Sequence, residues 1–352
     1  MLAKQERGQP LITGGFTIFA CVLHSKLNHL IAYFLEHFTM NRNVAIFLLL
    51  LVLLAPVTAI AQRNHSLNAF KHIEILADDS FEGRRAGSKG GHAAAGYIVK
   101  HLVEFGLTTA GEESWFQPFN KKFENCRNIL ALLPGKHPIL RDEIVAIGAH
   151  YDHVGYGQGK TRGPIHNGAD DNASGTATVI ELARYFSKPR NKPDRSLMFC
   201  FWDSEEQGLI GSKYWVEQPT VELSRIVFKV NIDMIGRLDG DTLEVQGHRS
   251  GNGIKAPLEA ANARLGIDID YVFKMPANSD HWPFINKGIP GFMLHTGLHP
   301  EYHKPGDDSE TIDVVGLEQV GKLARNFITY LAETKTPPTF RKESLSEKPP
   351  KN

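Results

Sequence analysis

A chain of 352 residues that is 42% hydrophobic and 22% charged does not have the composition of a collagen, a mucin or a disordered tail. Its 39 basic residues balance 39 acidic ones, which argues against nucleic acid or an anionic membrane surface as a partner, since both favour a basic excess. Three cysteines exclude a disulfide-rich scaffold and a four-cysteine zinc site, while 16 histidines are ample for a metal or acid–base site.

The first apolar segment, Val44 to Val57 (VAIFLLLLVLLAPV), is short for a membrane span, which needs roughly 20 residues. Arg42 precedes it, and Ala59-Ile60-Ala61 follows with small residues where a signal peptidase reads them. This is the layout of a secretory signal, with its natural start at Met40. Residues 40–61 are therefore expected to be a signal peptide, and residues 1–39 an upstream extension from a mis-assigned start codon. The expected location is secreted or periplasmic, with an uncleaved N-terminal anchor as the alternative. No membrane contact is expected beyond this segment. The expected catalytic domain is 62–335. Residues 336–352, rich in Lys, Glu, Ser and Pro, read as a disordered polar tail.

Ser66 to Leu107 has helical character, with apolar residues recurring at three and four and Gly106 as a stop. Three nearly continuous apolar runs follow: Ile144 to Ala149, Ser196 to Trp202 and Ile226 to Ile232. Such runs are buried central strands rather than half-exposed ones. Helical stretches separate or follow them, at Ser174 to Phe186, Leu209 to Glu217, Ala256 to Leu265 and Val315 to Leu331. This alternation predicts an α/β three-layer sandwich, with a central mixed, mostly parallel sheet and helices on both faces.

In open α/β sheets, sites form outside the carboxyl ends of the strands. There this chain carries His150-Tyr151-Asp152-His153, Asp203-Ser204-Glu205-Glu206 and Asp233. A further apolar segment, Pro290 to Leu294, leads to His295, His299 and His303, and Gly168 to Gly175 (GADDNASG) opens a helix. Singly, each has a mundane alternative: an N-cap, a solvated acidic pair, a hydrogen-bonded structural histidine. Together at one sheet edge, the carboxylates would repel one another without a cation. Imidazole mixed with carboxylate, without thiolate, suits catalytic zinc. Charge counting favours two ions: two Zn²⁺ are balanced by Asp171, Glu206, Asp233 and one hydroxide. Asp152, two residues beyond His150, would share its face if the strand continued and could hold the second imidazole nitrogen. His295, His299 and His303 are equal candidates on these grounds.

His150-x-Asp152, Asp171-Asn172-x-Ser174-Gly175, Glu205-Glu206-x-Gly208, Asn231-x-Asp233 and Tyr302-His303-x-x-x-Asp307 resemble, in order, the motifs of the two-zinc exopeptidases. That family includes bacterial leucyl aminopeptidases, glutamate carboxypeptidase and glutaminyl cyclase. Leu76 to Arg84 with Gly87-Ser88, and Ser279 to Phe284, also look like family segments, so the resemblance spans Ser66 to Glu333. It implies that Asp171 bridges two zinc ions. His150 and Asp233 complete one site, and Glu206 and His303 the other. Glu205 is then the general base, Asp152 a further catalytic residue through its hold on the His150 imidazole, and Asp280 and His281 shape the pocket or serve the fold. The implied function is a zinc aminopeptidase acting on peptides with a free N-terminus. The alternatives are a carboxypeptidase or dipeptidase, for which Arg162 or Arg237 would bind the terminal carboxylate, a glutaminyl cyclase, and a non-enzymatic binding ectodomain.

Overall fold

The three apolar runs form the centre of the sheet. In the computed structural model, which describes residues 68–112, 114–157, 162–238 and 242–347, they are strands β4 (Ile144–His150), β5 (Ser196–Trp202) and β6 (Ile226–Ile232). β4 pairs in parallel with both β5 and β6, and β6 pairs in parallel with β10 (Gly291–His295). Antiparallel flanks extend this parallel centre. On one side lie β3 (Cys126–Leu133), β1 (Thr108–Thr109) and β2 (Phe116–Phe119); on the other, β7 (Leu243–Gln246), which carries β9 (Ile269–Asp270) in parallel. The result is a nine-stranded mixed sheet, as the alternation of runs predicted.

Side-chain alternation explains why both faces are covered. Val145, Ile147 and Ala149 of β4 point into a large core beneath α1 (Ala69–Leu76), α2 (Lys89–Glu104), α3 (Gly175–Ser187) and α7 (Val314–Glu333). Ile144 and Ala146 point the other way, toward Trp215 of α4 (Ile210–Glu217) and Phe284 of α6 (Trp282–Asn286). Leu258 anchors α5 (Lys255–Asn262) in the larger core. Cys126 and Cys200 are buried free thiols. Among the described residues, no helix is long and apolar enough to cross a membrane. The expected signal peptide and upstream extension lie outside the described residues.

Two expectations change. The helical stretch 66–107 is two helices, because the Asp78 carboxylate accepts from the Ser80 amide and starts a tight turn, and Ser88 then caps α2 by accepting from the Gly91 amide. The polar tail does not hold for residues 336–347. Thr339–Phe340 (β11) pair antiparallel with Gly251–Asn252 (β8), and the Arg341 amide donates to the Ser250 carbonyl at 2.7 Å. Ser344 is buried, and Glu347 pairs with Arg249 and Arg341. Polar composition concealed a short backbone pairing and an ion-pair clasp.

Candidate active site

The four parallel strands end at one edge, and their ends deliver the acids and histidines. His150 closes β4, Glu205 and Glu206 lie just beyond β5, Asp233 follows β6, and His303 sits in the loop after β10. Asp171 lies in the wide turn Ala169–Ser174 that leads into α3. Two donor groups result among the described residues: His153, Asp171, Glu206 and His303 in one, and His150, Glu205 and Asp233 in the other.

The Asp171 carboxylate faces both groups. Its Oδ1 is 3.4 Å from His150 Nε2, and its Oδ2 is 3.0 Å from His303 Nε2. His150 Nε2 is also 3.3 Å from Asp233 Oδ1, and His303 Nε2 is 2.9 Å from Glu206 Oε2. Despite these approaches, buried His303 Nε2 and Asp171 Oδ2 are not in hydrogen-bonding geometry with any partner. Lone pairs that converge without hydrogen bonding point at a shared centre, and the nitrogen and carboxylate donors suit zinc. The residues present therefore fit two zinc ions.

A buried framework aims these groups. Arg84, 1% exposed, donates to the carbonyls of Leu76, Tyr151, Asn167 and Gly168 at 2.6–3.0 Å, tying the opening segment to both the His150 and Asp171 loops. Asp307 accepts from the amides of Asp170 and Asp171, each at 3.0 Å. Asn172 donates to the Ile232 carbonyl and accepts from the Gly175 and Met234 amides, fastening the end of β6 to the start of α3. Ser279 donates to Asp233 Oδ2 at 2.5 Å. At Gly168, φ is +59°, and a Cβ there would lie 2.1 Å from the Asp171 carbonyl and 2.5 Å from the His153 ring, so only glycine fits. Ser204, Met234 and His303 also have positive φ, a strain of about 1–3 kcal/mol each that sits beside the donor groups.

Burial pushes the Glu205 carboxyl well above its ordinary range, and Asp280, Asp233 and Glu206 add to this against the pull of His150. Burial likewise raises Asp171, helped by Glu206. It opposes the low position of Glu206, where contacts with His153 and His303 win. His303 shows the same competition with the opposite charge: burial works against protonation, but Asp171 and Glu206 hold it at about 10. Carboxylates repelling in a buried site are what divalent cations relieve.

The structure brings together all of His150, Asp171, Glu205, Glu206, Asp233 and His303. Asp152 is at the site but plays a different part from the one expected. β4 stops at His150, so His150 Nδ1 meets the Asp152 backbone carbonyl at 3.1 Å, while the Asp152 carboxylate lies 3.7 Å away. That carboxylate instead accepts from the Glu205 amide at 3.0 Å. Of the three candidate loop histidines, only His303 joins a donor group. His295 Nδ1 contacts the Asp233 carbonyl at 3.0 Å, and His299 Nε2 faces Asp170 at 3.4 Å. Asp280 and His281 are fully buried outside both groups; burial lifts Asp280 to about 6 and drops His281 to about 3. Arg237 is engaged by Glu301 and Asp307, and Arg162 is exposed. His153, named in the sequence at the strand end but given no role there, joins Asp171, Glu206 and His303 in the first donor group. Its signal was its position at the same strand end as His150.

Two groups of nitrogen and carboxylate donors at one edge of an α/β sheet are what a two-zinc centre requires. A model of peptidase family M28 matches residues 128–328, more than half of the chain, and the protein belongs to that family. Leupeptin-inactivating enzyme 1 of Streptomyces exfoliatus is 32% identical over 213 residues, 60% of this chain and 45% of that protein. The structure of BSAP, a zinc aminopeptidase from Bacillus subtilis, is 28% identical with a TM-score of 0.52, covering 61% of this chain and 52% of that one. LapB from Legionella pneumophila shares the fold with a TM-score of 0.63 at 22% identity, covering 76% of this chain and 72% of that one. The chain spans about half the length of the curated relatives it matches.

Proposed function

We propose that the protein is an exported zinc aminopeptidase that removes N-terminal residues from peptides. The observation that carries this reading is the shared Asp171 carboxylate, one oxygen toward His150 and the other toward His303, with the raised Glu205 carboxyl beside it. In this reading His150 and Asp233 hold one zinc, Glu206 and His303 hold the other, and Asp171 serves both. When bound, the zinc pair supplies Lewis acidity to the substrate carbonyl and a water acidic enough to attack near neutral pH. Glu205 takes the proton of the attacking water and hands it to the leaving amine. Asp152 positions Glu205 through the backbone amide. The engagement of Arg237 by two acids favours a free-amine substrate over one gripped by its terminal carboxylate. The name of the Bacillus subtilis relative as a zinc aminopeptidase supports the same choice.

The purified protein is expected to release the chromophore from an amino-acyl anilide with a free amine, to stop when chelator is added, and to spare the N-blocked twin. Cleavage of the blocked substrate, or cyclisation of a glutaminyl peptide in its place, would contradict the aminopeptidase reading. Export rests on the Arg42 to Ala61 segment. N-terminal sequencing of exported material should begin at Gln62; a start upstream of the apolar run would indicate an uncleaved anchor.

A further inference from the structure

His153 has no part in the assignments above, yet it is fully buried against the zinc donors. Its Nδ1 lies 2.8 Å from Glu206 Oε1 and 3.6 Å from Asp171 Oδ2. Glu206 offers its other oxygen, Oε2, to His303 Nε2 at 2.9 Å. The two imidazoles thus contact different oxygens of one carboxylate, His153 at Oε1 and His303 at Oε2. A carboxylate accepts, so the hydrogen-bonding tautomer carries its proton on Nδ1. The opposite nitrogen, Nε2, is buried without a partner.

The ring is held there. The His153 amide donates to the Arg84 carbonyl at 3.2 Å, and Arg84 in turn donates to Tyr151 and Gly168 on either side. Gly168 lies against the ring so closely that a Cβ would come within 2.5 Å of its Cγ and Cδ2. The His303 ring meets it edge to face, with centroids 5.6 Å apart.

We propose that His153 is a positioning residue for zinc binding, donating its Nδ1–H to Glu206 Oε1 so that Glu206 presents only Oε2 to the ion it shares with His303 and Asp171. A carboxylate confined to one oxygen takes up one coordination position instead of two and leaves room for water or substrate. A group that orients a ligand in this way sets metal affinity as the ligand itself does. The inference rests on the two-zinc reading.

The test is zinc affinity, measured by competition with a chromophoric chelator, together with the visible spectrum of the cobalt-loaded protein. The wild type, His153→Ala and His153→Asn are compared. An asparagine side-chain amide can place an N–H where Nδ1 stands. His153→Ala should weaken one of the two ions by about 10–100-fold and leave the other essentially unchanged. His153→Asn should recover most of that affinity and the wild-type cobalt spectrum. Unchanged affinity in His153→Ala would overturn the proposal, and so would an equal loss in both variants, which would make His153 a ligand or a packing residue. A wild type that takes up fewer than two ions would overturn the two-zinc reading itself.

Discussion

Glu205→Gln is expected to lower kcat by about 10²–10⁴-fold while the purified protein still carries two zinc ions per chain. The amide is nearly isosteric with the carboxyl, and the Glu205 backbone amide still donates to Asp152, so the side chain stays in place. The change is chemical: an amide cannot accept the proton of the attacking water. Glu205 suits that task because burial and the neighbouring carboxylates push its affinity for protons upward, whereas contacts with two histidines hold Glu206 low. Adjacent glutamates thus have unlike environments, one poised to exchange a proton and the other to stay charged. KM should change little, because the lost interaction belongs to the transition state. Steady-state kinetics on the anilide with elemental analysis of the same sample makes the check. Near-normal kcat would remove Glu205 from its role, and loss of zinc would make it a ligand.

Much of this was readable because strands in such a sheet put their chemistry at one end. The apolar runs at 144, 196 and 226 announced their own ends, and the acids and histidines beyond them had to fall at a common edge. What depends on loop conformation was not readable. Asp152 was expected to face His150 Nδ1 by strand parity, but the strand stops at His150 and parity stops with it. The carboxylate turned to the Glu205 amide instead, a contact across 53 residues that no local pattern encodes. His153, His295 and His299 look alike as letters, and their different partners are set by tertiary contacts. Arg84 lay within a segment legible as a family motif. Its fourfold grip on backbone carbonyls has no sequence signature, since any carbonyl would serve. The pairing of Thr339–Phe340 with Gly251–Asn252 was hidden for a related reason: two-residue strands are too short to show a period.

Asp171→Ala is expected to strip the centre of zinc, from two ions per chain toward none, with loss of peptidase activity to match. Asp171 is the group whose two oxygens reach both clusters, at 3.4 Å from His150 and 3.0 Å from His303, so its removal costs each ion a ligand. The size of the stability change then depends on metal. In metal-free protein, burial and the nearby Glu206 carboxylate raise the Asp171 carboxyl, which makes its charge unfavourable to fold. Deleting it relieves the repulsion with Glu206 but also removes the contact with His303, so the metal-free variant should melt close to metal-free wild type. With zinc present the two separate. Wild type gains about 4 kcal/mol for each ion held at 1,000 times its Kd, and the variant gains little. Thermal melts of both proteins with chelator and with added zinc would show this separation. A variant that retained full zinc content, or melted well below wild type in chelator as well, would show that Asp171 serves the fold rather than the two ions.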